Sequence, residues 1–119
     1  MKKYNVPNYV RYKKDLEKAL KANKKYIVKD DDGNVLYNLL TKEQTIVQFM
    51  PLVENIARKF STTQQAVGVM SILDLIQSGN IGLVQAVERL ERSKLLESDD
   101  QEKTIKSFLS KRIKGSIRR

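Results

Sequence analysis

With no histidine and no cysteine in 119 residues, this chain has little to offer catalysis. The usual general base near neutral pH and the commonest metal ligand are both missing. A zinc site has no ligands to draw on. The five glycines never form a phosphate-cradling loop followed by Lys-Ser or Lys-Thr. The acid clusters fall in turn and linker sequence rather than around an apolar pocket. The expectation is a protein that is not an enzyme, with no catalytic residue, no metal and no cofactor. Binding chemistry is better supplied. Near the carboxy terminus Phe108 stands among Lys106, Lys111, Arg112 and Lys114. Cations in that pattern track phosphates, and one ring offers a base a surface for stacking. Composition alone leaves a solvated amphipathic helix equally open. A second cluster, Gln77, Ser78 and Asn80, lies where two apolar runs meet at Gly79. Polar groups flanking an apolar side chain such as Val84 suit a protein interface, so Gln77, Asn80 and Val84 are expected to share one exposed surface.

The charge is unevenly placed. The net charge is +9, yet residues 1–25 hold nine Lys/Arg against two acids. Residues 26–102 hold seven against twelve, and residues 103–119 hold seven against none. Two basic ends around an acidic centre imply a polyanion at the ends and another partner in the middle. A length of 119 residues and a hydrophobic content of 40% allow one modest core. No apolar run approaches the roughly 20 residues that span a bilayer, so no membrane partner is expected. The start, MKKYNVPNY, has no apolar stretch behind its lysines and does not read as a signal peptide. Absence of cysteine fits a reducing cytoplasm.

The elements that must position these residues read as helices. Pro7 discourages a helix before about Val10, after which Val10, Leu16, Ala19 and Leu20 mark a lysine-rich helix to Ala22. This helix is expected on the surface or on a further protein contacting residues 1–40. Around Asp32-Gly33 the pattern YIVKDDDGNVLYN predicts a small β-hairpin at about 26–38. Its three aspartates do not have calcium-loop spacing, since Val35 falls where the loop needs glycine and Thr41 where it needs glutamate. Thr41 and Gln44 form a capping box. An apolar stripe of Ile46, Phe49, Met50, Val53, Ile56, Ala57 and Phe60 follows, kinked or divided at Pro51. Ser61 to Val69 reads as a polar connection, and Ser71 with Asp74 as another capping pair. Gly79, at positive φ, should end one helix and Asn80 cap the next, making a hinge. Arg92 to Ser98 reads as a linker, and Ser98 with Gln101 as a third capping box. The last helix runs through Ile105, Phe108, Leu109, Ile113 and Ile117, with Lys103, Lys106, Lys111, Lys114 and Arg118 on its other face.

The segment DLIQSGNIGLVQAVE, Asp74 to Glu88, closely resembles the core-binding segment of bacterial RNA polymerase sigma factors, DLIQEGNIGLMKAVEKFD. Upstream, PLVENIARKF resembles the same family's LVxxIARKY. Downstream, KSFLSKRIKGSIRR resembles the promoter-melting segment, FxxYAxxRIRGxIxR in many alternative members. The resemblance covers about Gln48 to Arg119. It implies an all-α compact helical bundle of the core-binding type over 41–119, behind an amino-terminal extension, 1–40, that is not similar. It also implies that the hinged pair grips the clamp coiled coil of the largest subunit of RNA polymerase. Carried over by position, polymerase contacts fall on Leu73, Asp74, Gln77, Ser78, Asn80 and Val84. Contacts to the non-template strand of promoter DNA, at the minus-ten element, fall on Lys106, Phe108, Lys111, Arg112, Lys114, Arg118 and Arg119.

The departures from the family pattern are specific. Ser78 stands for a Glu that meets a basic partner, and Val84 for a longer Met or Leu. Leu90 replaces the Phe that helps hold a flipped adenine, and Lys111-Arg112 replaces a Trp pair that wedges the duplex open. The chain stops at Arg119, where the family's duplex-reading helix continues, which suggests a reduced virus-encoded member or a piece cut from a longer protein. Three functions stay open: a sigma-like initiation factor in a bacterial or infected host cell, a decoy that occupies the clamp site and blocks the resident sigma factor, and a sequence-neutral DNA-binding module.

Overall fold

Thr41 starts the first long helix of the core. Its hydroxyl accepts from the Gln44 amide at 3.1 Å, and the Gln44 side chain accepts from the Thr41 amide at 2.9 Å, the reciprocal capping box expected there. These contacts belong to a computed structural model, which describes residues 7–63 and 72–118. In it the protein is all-α. Helix α1 covers Pro7–Asn23, α2 Lys42–Thr63, α3 Ile72–Arg89, α4 Arg92–Leu95 and α5 Gln101–Arg118. Short 3₁₀ turns occupy Lys24–Tyr26 and Tyr37–Leu39.

The core is built where α3 packs against both α2 and α5. From α2 it takes Phe49, Val53, Ile56 and Ala57; from α5, Ile105, Leu109, Ile113 and Ile117. Both stripes follow the helical spacing legible in the sequence. Pro51 neither divides α2 nor ends it. The proline removes one backbone hydrogen bond, but the stripe it interrupts is buried on both sides of it, and that packing keeps a single helix.

Helix α3 is also unbroken, which overturns the expected hinge. Gly79 and Asn80 lie inside it, and among the described residues only Gly33 has a positive φ, at 85°. The reason for glycine is close packing, because a Cβ at Gly79 would lie 2.7 Å from Val53 Cγ1 and 3.1 Å from Ile117 Cδ1. One at Gly82 would lie 2.6 Å from Ser116 Cβ and 3.0 Å from the Arg112 carbonyl oxygen. The two glycines admit α2 and α5 to α3 at distances no side chain allows.

Other boundaries shift too. Helix α1 begins at Pro7, at the first helical position, where a missing N–H costs nothing. Helix α2 continues to Thr63, so only 64–69 of the expected polar connection lies outside it, and that stretch is outside the described residues. Of the expected Ser71–Asp74 capping pair, Ser71 lies outside the described residues, and Asp74 is in the first turn of α3. The expected linker 92–98 contains α4, whose Leu95 is fully buried. The cap of α5 is Asp100, which accepts from the Lys103 amide at 3.1 Å. Ser98 does not form a box with Gln101, because the Gln101 amide is paired with Asn38. The expected hairpin reduces to one bridge between Lys29 and Val35, with no strand among the described residues. Its turn is held by the Asp30 carboxylate, which accepts from the Asp32 and Asn34 amides, each at 2.9 Å. Those bonds, the Asn34 amide foremost, hold the Asp30 carboxyl below its ordinary range.

Candidate partner-binding surfaces

The outward side of α3 is defined by what the inward side has used. Ile72, Leu75, Ile76, Gly79, Leu83, Ala86 and Val87 face the core. Asp74, Gln77 and Val84 are exposed on the other side, with Leu73 and Ser78 half-buried at its edges. Ile81 is 59% exposed and Val84 39%. Helical spacing puts Gln77, Ile81, Val84 and Glu88 along one stripe. Ile81 escaped the sequence reading, although it stands four residues after Gln77 and three before Val84, which is signal enough. Ser78 is drawn to the α5 side, where its carbonyl accepts from the Ser116 hydroxyl at 2.6 Å.

Asn80 is the exception to the expected exposed set. It is half-buried, and its side-chain amide donates to the Tyr12 hydroxyl of α1 at 3.3 Å. Its Oδ1 is buried and has no hydrogen-bond partner. Burial, opposed by the Asn80 bond, raises the Tyr12 pKa. Segment 7–40 therefore reaches the edge of the stripe through Tyr12.

Helix α1 is fastened to α2 around one carboxylate. Glu54 is only 8% exposed. It accepts a hydrogen bond from the Tyr9 hydroxyl and pairs with Arg58 at 2.9 Å and Lys13 at 3.5 Å. Arg58 also donates to the Tyr9 oxygen, at 2.8 Å from Nη2. Burial first, and the hydrogen bond to Glu54 after it, raise the Tyr9 pKa. At the other end of α1 the buried Asn23 amide donates to the Gln44 carbonyl at 3.1 Å and to Gln48 Oε1 at 3.2 Å. Sequence reasoning missed this network. The one hint was Glu54 itself, the only acid within the α2 stripe, since a buried charge requires partners.

On α5 helical spacing puts Lys111, Lys114 and Arg118 on one outward basic surface, with Lys106 at its α2 edge and Arg112 at its α3 edge. Lys106, Lys111, Arg112, Lys114 and Arg118 are exposed, along with Lys103; Arg119 lies outside the described residues. Phe108 is half-buried against the core, and the Arg112 guanidinium lies 4.0 Å from its ring centroid. The ring is thus engaged on two sides, by the core and by Arg112, and a base that stacks on it must displace the guanidinium. Lys106 is 3.9 Å from Glu102, an exposed pair of little energetic weight. Between this surface and the α3 stripe lies a cleft of about 250 Å³ lined by Gly82, Gln85, Arg89, Arg112, Gly115 and Ser116. Gly115 borders it with nothing within 4 Å of where a Cβ would stand. Leu90 is half-buried at the end of α3, at the edge of the core.

Among the described residues, no group of three or more acids is placed to hold a metal ion, and no helix is long and apolar enough to cross a membrane. No protein-family model, curated protein or solved structure matches this chain.

Proposed function

We propose that this protein is a sigma-like transcription initiation factor. The outward stripe of α3 docks on the clamp coiled coil of the largest subunit of core RNA polymerase. Helix α5 presents its basic face to the non-template strand of the minus-ten promoter element and helps to recognise or melt it. The observation that carries the reading is the α3 stripe. Two exposed apolar side chains, Ile81 and Val84, are set among Gln77, Asp74 and Ser78 on a helix whose other side is fully occupied. That mixture suits a protein interface, and it falls on the segment that resembles the family's core-binding sequence. The continuous helix narrows the docking element to one rigid surface in place of a hinged pair.

A second reading, a decoy that blocks the resident sigma factor without opening DNA, is favoured by Arg112 over Phe108. With Leu90 and Lys111 in place of aromatic residues, no unencumbered ring stands near the basic face among the described residues. Run-off transcription separates the two. Core polymerase plus this protein should yield a specific transcript from a promoter selected with the pair, and permanganate should modify its melted thymines. Loss of a competing sigma factor's transcript without any new one supports the decoy. Duplex binding with no effect on either polymerase reaction leaves only a sequence-neutral DNA-binding module.

A further inference from the structure

The charge on α1 is ordered as closely as that on α5. Arg11, Lys14, Lys18 and Lys21 recur at three- and four-residue intervals, so they line one side of the helix. All four are exposed. That side is opposite the one carrying Tyr9, Leu16 and Asn23, which are 1%, 6% and 5% exposed. Asp15 and Glu17 flank the row without entering it, and none of the four cations has an ion-pair partner among the described residues. Like charges at this spacing disfavour a helix, and a polyanion laid along the row relieves that repulsion.

We infer that the outer face of α1 is a second nucleic-acid surface, one that binds the phosphate backbone of a duplex independently of α5. The row spans about 15 Å along the helix, at roughly 1.5 Å per residue. One strand of a duplex presents a phosphate about every 3.4 Å of its axis, so four cations meet at most about four phosphates. The face is held in a fixed orientation because α1 is anchored near both ends, by Tyr9 and Lys13 at Glu54 and by Asn23 at Gln44 and Gln48. A membrane surface is a poorer match. Interfacial helices insert an apolar face, and that of α1 is turned into the protein, leaving Val10 as its one large exposed apolar side chain. The surface reads phosphates, not bases, since no aromatic residue or amide interrupts the row.

The inference stands apart from the promoter reading, and its test contains no polymerase. Fluorescence anisotropy of the full chain with a labelled mixed-sequence duplex, across a salt series, gives the slope of log affinity against log salt. K14Q/K18Q/K21Q should flatten that slope by up to about 2.7, at roughly 0.9 per phosphate contact, and weaken low-salt binding by about tenfold or more. K29Q/K42Q/K94Q removes equal charge from exposed sites off both basic helices and should change affinity by no more than about twofold. K111Q/K114Q/R118Q on α5 should produce a separate loss that adds to the first. Superimposable melting curves by circular dichroism show that the variants fold. The proposal is overturned if the α1 and off-helix triples behave alike, or if the wild type binds no duplex at low salt. Capture by phosphatidylserine vesicles that depends on Lys14, Lys18 and Lys21, with duplex binding unaffected, overturns it in favour of a lipid surface.

Discussion

The bundle of α2, α3 and α5 and the segment 7–40 packed on it share one apolar core, to which the segment gives Tyr9, Tyr37 and Leu40, but they are fastened differently around it. The bundle is joined by branched apolar side chains that meet at two glycines. The segment adds polar pairs to its buried apolar contacts: Tyr9 and Lys13 to Glu54, Asn23 to Gln44 and Gln48, Tyr12 to Asn80, Asn38 to Gln101, and Tyr37 to Glu102. Burial of apolar area is large and non-directional, whereas each hydrogen bond nets about 1 kcal/mol and depends on geometry. The bundle, with the larger share of the buried apolar side chains, should therefore carry most of the stability, and α1 should be able to loosen without unfolding it.

The largest effect is expected at the glycine crossing. Gly82→Val places side-chain carbons where the Ser116 side chain and the Arg112 backbone already stand, and backbone cannot yield cheaply. A loss of about 3 kcal/mol is expected from overpacking on this scale, read as a lower urea midpoint for the whole chain. Gly82→Ala should cost less, because the helix propensity of alanine returns about 1 kcal/mol. An unchanged midpoint in the valine variant would mean that α3 and α5 do not approach as described.

Glu54→Ala tests the other half of the comparison. It removes the carboxylate that accepts from the Tyr9 hydroxyl and pairs with Arg58 and Lys13. Because both cations are partly exposed, about 2 kcal/mol is the expected loss. Hydrogen exchange should place that loss in the α1 amides, with protection of α3 and α5 preserved. Equal loss throughout would show one cooperative unit.

Tyr37 offers a smaller and pH-dependent effect. Burial, and next the Glu102 carboxylate, push its pKa up to about 12 from an ordinary 10.0. The folded state thus holds the phenolic proton more tightly than the unfolded chain. The stabilising contribution is complete below about pH 10 and is lost as the pH rises toward about 12. Tyr37→Phe should lower stability modestly at neutral pH, by about 1 kcal/mol. It should also remove part of the alkaline decline seen in the wild type. If the two proteins lose stability in parallel above pH 10, the Tyr37–Glu102 contact is absent in solution.

The same contrast explains what could be read from the chain. Apolar stripes repeat every three or four residues, so the core faces of α2 and α5 were legible from Phe49, Val53 and Ile56 and from Ile105, Leu109 and Ile113. The Thr41–Gln44 box was legible because both partners lie within one turn. The basic face of α5 followed from spacing alone. Gly79-Asn80 misled because a local reading sees a helix stop followed by a cap, whereas the need for glycine comes from Val53 and Ile117, distant in sequence. The α5 cap moved from Ser98 to Asp100 for a similar reason, since Gln101 is engaged by Asn38. Polar pairs such as Tyr12 with Asn80 or Tyr9 with Glu54 leave no periodic trace. So the docking of segment 7–40, and its approach to the α3 stripe, had no signal in the sequence beyond the lone acid Glu54 within the α2 stripe.

The central claim is that the outward face of α3 binds core RNA polymerase. Co-purification of tagged protein with purified core enzyme tests it most directly, using V84E and I81E on the stripe and N55E on the exposed side of α2. Both stripe positions are exposed, so each variant should keep its helical circular-dichroism signal while losing retention of polymerase, and N55E should retain it as the wild type does. Retention by V84E and I81E equal to that of N55E would contradict the claim.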